Sequence, residues 1–240
     1  MFYPKNKLTY VLIQLLGVLV FSAISMGCTK TIEPNFNELG VEFYPVKVGD
    51  YRVYYTKTIT YNLNGQIDTT AYLVKEIAED SVVYSDGNTR IILGRYSSNL
   101  AGTNWQKDSI WSVLSTNYNV IVSEANVDFV KLSFPVQENK KWDGNAANYK
   151  KVESYKLTDV RKPYSYDTLS YQSTLTVVHK DLLDPAKITK DDYRIEVFAA
   201  NIGLIHKLKI KINYCSGCVE NGKIDDGFIF EQKLIEFGKN

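Results

Sequence analysis

The sequence predicts a mainly β protein built on an antiparallel sheet: a curved open sheet, an open barrel or a sandwich. Its 18 Tyr and 10 Phe accompany many Val, Ile and Thr, residues that suit a pleated, half-buried surface. Short runs alternate between apolar and polar residues and are separated by turn signals, as strands are. Few segments show a 3.6-residue period, so we expect at most one or two short helices.

Two hairpins can be placed first. Alternation runs from residue 51 to residue 61, and the Asn-Gly pair at 64–65 closes a turn before a return strand over 66–77. A second hairpin is predicted from strands 81–84 and 89–93. Further strands are predicted over 108–114, 119–123, 127–134, 149–160, 164–182, 193–198, 204–214 and 228–237. One short helix is predicted over 185–192.

The two halves of the chain share a short, similar sequence segment. Tyr44-Pro45-Val46 stands before the first predicted strand, and Phe134-Pro135-Val136 occurs 90 residues later. The offset of 90 residues is compatible with two related halves of one sheet. A chance match of so few positions explains the similarity equally well.

The N-terminus has the pattern of a secretory signal peptide. Lys5 and Lys7 precede an apolar stretch over residues 11–21, and small residues follow it. The stretch is shorter than the roughly 20 apolar residues that a membrane span needs.

The exit of this segment is Ser25-Met26-Gly27-Cys28, which resembles a lipobox. We therefore predict cleavage before Cys28 and attachment of lipid to Cys28, which makes the membrane a partner. The alternative is an uncleaved anchor helix. The predicted organisation is a signal peptide over 1–27, a lipidated tether over 28–42 and a β-rich globular domain over 43–240.

The predicted location is the cell envelope. No acidic cluster follows Cys28, which favours the periplasmic face of the outer membrane over display on the cell surface. Removing residues 1–27 changes the formal net charge from +1 to −1, because this segment holds two lysines and no carboxylate. A nearly neutral domain offers no electrostatic footprint for nucleic acid.

Cys215 and Cys218 are predicted to form a structural disulfide, since an even pair remains once Cys28 is acylated. A redox motif, a metal site and free thiols are the alternatives. A C-x-x-C redox motif would need a following helix, which the pattern lacks. A zinc site would need two more ligands, and the chain offers only His179 and His206. We therefore predict no metal and no cofactor.

No catalytic residue can be named from the sequence. Nucleophile-elbow, zinc-protease and P-loop patterns are absent. His206 lies among apolar residues and is interpreted as a strand residue. Trp105 and Trp111 are candidates for lining a ligand-binding concavity, but the ligand-binding residues themselves stay unidentified.

Three segments resemble uncharacterised lipoproteins of Bacteroidota type. Residues 43–55 (FYPVKVGDYRVYY) are similar to their "YPLKVGNxWVY" opening, 198–207 (FAANIGLIHK) to their "APGVGLVK" segment, and 134–144 occupy the place of "PxxxGxxW". Tyr51-Arg52 replaces the usual Trp, and Ala199-Ala200-Asn201 replaces the Pro-Gly turn. The resemblance implies a secreted β domain and supplies no activity.

The leading functional hypothesis is a non-enzymatic envelope lipoprotein that binds or carries a hydrophobic molecule, a glycan or a protein. The alternative is an envelope hydrolase acting on glycans or peptidoglycan. A deep pocket lined by Leu, Val and Tyr with few charges would favour a carrier. Two carboxylates about 5–10 Å apart in a cleft would favour a hydrolase. A flat exposed apolar patch would indicate a structural component.

Overall fold

A single antiparallel sheet makes up most of the structure, a computed structural model that describes residues 39–85 and 87–239. Its twelve strands within these residues curve into one nearly closed barrel, which confirms the predicted fold class and selects the barrel over the sandwich. The predicted signal peptide and Cys28 lie outside the described residues. No helix in the described part of the chain is long and apolar enough to cross a bilayer.

The strands follow one another with short connections after a 3₁₀ turn at Val41–Phe43. They are β1 (Asp50–Tyr61), β2 (Ile67–Val83), β3 (Thr89–Ser98), β4 (Gln106–Ser115), β5 (Asn119–Glu124), β6 (Val127–Ser133), β7 (Lys141–Asp143), β8 (Ser154–Tyr166), β9 (Leu169–Leu182), β10 (Lys190–Ala199), β11 (Gly203–Tyr214) and β12 (Ile224–Lys239).

The sheet consists of two six-stranded meanders joined in the middle. Its order is β6-β5-β4-β3-β2-β1-β12-β11-β10-β9-β8-β7, so every neighbouring pair is consecutive in the chain except β1 and β12. Each aromatic-Pro-Val segment of the sequence precedes the first strand of one meander.

The edge strands β6 and β7 approach each other along what we call the seam. The Val130 amide donates a hydrogen bond to the Gly144 carbonyl at 2.9 Å, and Trp142 Nε1 donates to the Val130 carbonyl at 2.8 Å. A Cβ at Gly144 would lie 2.3 Å from the Tyr155 ring, so the seam needs glycine there. These contacts nearly close the barrel without a continuous ladder.

Several details of the predicted elements are wrong. The strand expected over 149–160 begins at Ser154 and continues to Tyr166, and β7 is not among the predicted strands. The helix expected over 185–192 is a turn followed by β10, because the Asp184 carboxylate accepts hydrogen bonds from the amides of Ala186, Ile188 and Thr189. Residues 67–83 form one strand rather than two, since the break expected after residue 77 is a bulge at 78–80. The run 164–182 is divided by a turn at 167–168.

The main core draws apolar side chains from both meanders and therefore fills the barrel. Phe43 of the 3₁₀ turn is fully buried in it, and the Leu39 carbonyl accepts a hydrogen bond from Val136. A second cluster forms where the tip of the β8–β9 hairpin packs on the neighbouring strands: Tyr166 donates to the Leu234 carbonyl at 2.7 Å. Its members include Tyr54, Val74, Ile195, Val197, Ile205 and Leu234.

We expect Gly227→Ala to destabilise the β11–β12 pairing. Gly227 has a φ of 135°, and a Cβ there would lie 2.1 Å from the Lys211 carbonyl oxygen. Strain of this kind costs on the order of 1–3 kcal/mol, measurable as the free energy of unfolding in urea. Gly217→Ala is the control, because nothing lies within 4 Å of its added Cβ. Equal stability of the two variants would contradict the geometry.

Candidate functional site

Four charged side chains form a closed ring beside the seam: Lys131, Glu196 and Lys207 are buried, and Glu124 is half-buried. Lys131 Nζ lies 2.6 Å from Glu124 Oε1 and 3.0 Å from Glu196 Oε1. Lys207 Nζ lies 2.8 Å from the same Glu196 oxygen and 4.0 Å from Glu124. We call these four side chains the ion ring. Two ammonium groups and two carboxylates alternate in it, so its formal charge is zero.

Strand register explains half of the ring and barrel closure explains the other half. Glu196 on β10 and Lys207 on β11 are directly opposite each other, the arrangement in which unlike charges attract. Lys131 comes from β6 at the edge of the other meander, and Glu124 ends β5. The ring therefore connects the edge strand β6 and its neighbour β5 to two interior strands of the other meander.

The ring keeps its carboxylates ionised. Burial alone would raise the pKa of Glu124, but the ammonium groups of Lys131 and Lys207 outweigh it and lower that pKa to about 2. Burial also opposes ionisation of Glu196, and the same two lysines lower its pKa well below the usual range. Burial would lower the pKa of Lys131, but its two carboxylates raise it.

A cavity of about 200 Å³ adjoins the ring. It holds five cationic side chains, three carboxylates, His179 and two aromatic rings. Its lining is Glu124, Phe129, Lys131, Asn145, Lys150, Glu153, Tyr155, His179, Arg194, Glu196, Lys207 and Lys209. A shallower depression of about 510 Å³ shares Asn145, Lys150, Glu153, His179 and Arg194 with it. We call the two spaces the inner cavity and the outer depression.

His179 and Glu196 present unpartnered atoms to this cavity. The His179 ring stacks on Tyr155 with 3.9 Å between ring centroids. Its Nε2 lies 3.5 Å from Glu196 Oε2, and neither atom has a hydrogen-bond partner within the described residues. Burial lowers the pKa of His179, although Glu196 opposes this. Buried polar atoms are normally satisfied, so this pair, whose two atoms lie too far apart for a well-formed hydrogen bond, is an exception.

The two ring carboxylates do not have the pKa pattern of a glycosidase pair. Glu124 and Glu196 approach each other closely enough for a glycosidase, since both bind Lys131. A glycosidase needs one carboxyl group with a raised pKa to protonate the leaving group. Both pKa values here are lowered, and each carboxylate is bound by an ammonium group. The arrangement is suited to holding charge rather than moving protons.

The cysteine pair is disulfide-bonded as predicted, in the loop between β11 and β12. The Cys215 amide donates to the Lys223 carbonyl at 2.9 Å, so the bond lies in a closed loop. Among residues 39–85 and 87–239, no group of His, Cys, Asp or Glu has the arrangement of a metal site.

His206 has a partner on each ring nitrogen. Its Nδ1 lies 2.6 Å from the Tyr164 hydroxyl, and its Nε2 lies 3.1 Å from Glu231 Oε1. Burial raises the pKa of Tyr164, which keeps this hydroxyl protonated and a poor nucleophile. The contact joins the β8–β9 hairpin to β11.

Neither tryptophan lines the inner cavity, although Trp111 lines a smaller cavity of about 30 Å³ that also borders the four ring side chains. Trp111 packs beneath the Arg95 guanidinium, whose carbon lies 3.7 Å from the ring centroid. Trp105 is half-buried just before β4. The ring has no sequence signal, because its members lie on four strands, and barrel closure is needed to bring the β5–β6 pair to the β10–β11 pair.

Comparison with known proteins gives two loose structural likenesses. No family model matches the chain, and no curated protein matches it. One similar structure is a Bacteroides fragilis protein inferred to be exported and described with a YmcC-like fold: TM-score 0.43, 12% identity, covering 82% of this chain and 99% of that one. Another is a Parabacteroides distasonis protein inferred to be a lipoprotein: TM-score 0.35, 12% identity, covering 82% and 98%. We draw nothing about function from either likeness.

We expect Lys131→Met to destabilise the barrel strongly. The substitution leaves two buried carboxylates short of one ammonium group, and breaking a buried pair in this way costs about 3–5 kcal/mol. Urea denaturation followed by tryptophan fluorescence measures the loss.

Lys162→Met provides the control for this experiment. Lys162 pairs with Asp159 at 3.1 Å, but both side chains are more than half exposed, and such pairs contribute less than about 1 kcal/mol. A loss for Lys131→Met no larger than for Lys162→Met would show that the ring does not stabilise the closed barrel.

We expect stability to fall as the pH drops below about 6.5. Burial lowers the pKa of both His179 and His206 in the folded chain. The unfolded chain therefore binds more protons between each folded pKa and 6.5, which favours unfolding by up to about 1.4 kcal/mol per pH unit for each histidine. Urea denaturation at several pH values gives this slope.

Variants of the two histidines show how much each contributes to the change of unfolding free energy with pH. His179→Gln and His206→Gln should each reduce it, and the double variant should be nearly flat between about pH 6.5 and 5.5. A double variant that keeps the full wild-type slope would assign it to other groups.

Proposed function

We propose that the protein is an exported, lipid-anchored binding protein of the bacterial cell envelope, whose barrel holds a small polar molecule at the seam without catalysing a reaction. The inner cavity carries this proposal. It is polar and partly buried, and it contains two buried atoms, His179 Nε2 and Glu196 Oε2, that lack hydrogen-bond partners within the described chain. Binding sites typically combine such a concavity with a few placed polar groups.

The N-terminal sequence supports export and anchoring. Residues 1–27 have the order of charge, apolar stretch and small residues of a signal peptide, and Gly27-Cys28 has the form of a lipobox. The Cys215–Cys218 disulfide fits an oxidising compartment such as the periplasm. We place the protein at the outer membrane, facing the periplasm.

Backbone geometry supports the resemblance to Bacteroidota-type lipoproteins. In "PxxxGxxW" the glycine position is taken by Asn139, whose φ is 66°. In "APGVGLVK" the first glycine position is taken by Asn201, whose φ is 63°. Asparagine is the residue that best replaces glycine in left-handed backbone. The departures from the motifs thus keep the turns that glycine would allow.

The cavity chemistry favours a polar ligand over the other hypotheses. An acyl chain in the inner cavity would desolvate eight ionised side chains without pairing any of them, which is costly. A hydrolase would need a carboxyl group that can donate a proton, and both ring carboxylates have lowered pKa values.

Mass spectrometry of the membrane-extracted protein tests both parts of the proposal. We expect the full chain, expressed with its own signal in a Gram-negative host, to begin at Cys28 and to carry acyl mass. Cys28→Ser should carry none, whereas Cys215→Ser with Cys218→Ser should keep it. Acylation of Cys28→Ser, or a wild-type chain that retains residues 1–27, would contradict anchoring.

Native mass spectra of the same preparation in non-ionic detergent should show a small molecule that is released on unfolding. Lys150→Trp should abolish it, because Lys150 lines both the inner cavity and the outer depression. Lys162→Trp, exposed elsewhere on β8, should retain it. A bare wild-type mass, or a ligand unaffected by Lys150→Trp, would overturn binding at the seam.

A further inference from the structure

The inner cavity is lined by more cations than carboxylates. Its lining carries five cations against three carboxylates, although the whole chain has a formal net charge of only +1. The ion ring uses two of each sign. The remainder is Lys150, Arg194 and Lys209 with Glu153, and Glu153 is already bound to Arg194 at 2.7 Å.

Lys209 is the side chain this excess affects most. On β10 and β11, Arg194 and Lys209 stand directly opposite each other, and like charges in that position repel. Arg194 is compensated by Glu153 and by Asp192, each at 2.7 Å. Within residues 39–85 and 87–239, no carboxylate lies within 4 Å of Lys209 Nζ, whose nearest described partner is the Phe230 ring at 5.8 Å.

The pKa of Lys209 agrees with this geometry. The neighbouring ammonium of Lys207, followed by burial, lowers it to about 8. Lys209 is thus a half-buried cation that the folded protein destabilises. Residues that reduce stability in this way are characteristic of binding sites, where a ligand supplies the missing partner.

The wall formed by Glu196 and His179 favours a different chemical group on the ligand, one that can form hydrogen bonds. Glu196 Oε2 needs a hydrogen-bond donor, and His179 Nε2 needs either a donor or an acceptor according to its tautomer. A hydroxyl group is both donor and acceptor and can satisfy the two atoms together. A purely anionic ion such as sulfate would repel the carboxylate.

We infer that the ligand at the seam is a small hydroxylated anion, in which a carboxylate, sulfate or phosphate group sits beside a hydroxyl. The anionic group pairs with Lys209 next to Arg194, and the hydroxyl meets Glu196 and His179. This inference rests on the proposed function and names its ligand class. The volume of about 200 Å³ is smaller than that of sites for drug-sized ligands, which favours a free solute over a lipid.

Thermal denaturation of the full chain in non-ionic detergent tests the inference. The probes are glucuronate and glucose, which differ by a carboxylate in place of a hydroxymethyl group, at ionic strength matched with sodium chloride. We expect glucuronate to raise the Tm of the wild type and glucose to leave it unchanged. Lys209→Gln should weaken the apparent affinity for glucuronate at least tenfold.

Lys209→Gln also has an effect that needs no ligand. Because it removes a repelled cation, we expect its Tm without ligand to exceed that of the wild type. Lys211→Gln is the matched control, a lysine two residues along the same strand that does not line the inner cavity. A ligand-free Tm of Lys209→Gln at or below that of Lys211→Gln would overturn the inference.

The remaining outcomes separate the two proposals. A ligand that native mass spectrometry shows to be neutral, or equal responses to glucuronate and glucose, overturns the anionic class but leaves binding at the seam intact. If no ligand is found whose binding depends on residue 150, the proposed function is overturned as well. Free glycerol phosphate and phosphatidylglycerol in mixed micelles are a second pair of probes for the thermal denaturation experiment. Selective stabilisation by the lipid would overturn the assignment to a free solute.

Discussion

The ammonium group of Lys131 reaches from an edge strand to a carboxylate on β10, in the opposite meander. The described seam has few backbone hydrogen bonds, and this ion pair with its ring partners adds a second link, from β5 and β6 to the interior strands β10 and β11 of the other meander. Isolated buried charges are costly, but four that alternate in sign compensate one another. The four ring side chains line the inner cavity and make its wall polar.

The sheet was predictable from the sequence because its signals are local. Alternation from residue 51 to residue 61 and the turn at 62–65 need only neighbouring residues to be recognised, and β1 and β2 are where they indicate. The failures have a local cause too. The carboxylate of Asp184 caps a turn that composition alone could not distinguish from a helix, and a bulge near Ala78 resembles a chain break.

The candidate site was not predictable in the same way. Glu124, Lys131, Glu196 and Lys207 carry no motif and are separated by up to 83 residues in the chain. In sequence they look like the solvated charges of alternating strands. Only the closure of the barrel turns them inward, and closure depends on seam contacts such as the one between Val130 and Gly144. The disulfide between Cys215 and Cys218, by contrast, is predictable because the spacing of the two cysteines is a motif.

The pairing of β1 with β12 sets the order in which parts of the barrel can form. Every other ladder joins strands that follow each other, so each meander can form from its own stretch of chain. The hydrogen bond from Tyr51 to Glu236 spans 185 residues, and contacts of such separation form late, after loop closure has been overcome. For a chain delivered across a membrane from its N-terminus, the first meander would wait with β1 unpaired on one side until β12 arrived. The barrel, and with it the cavity at the seam, is complete only when β12 has paired with β1.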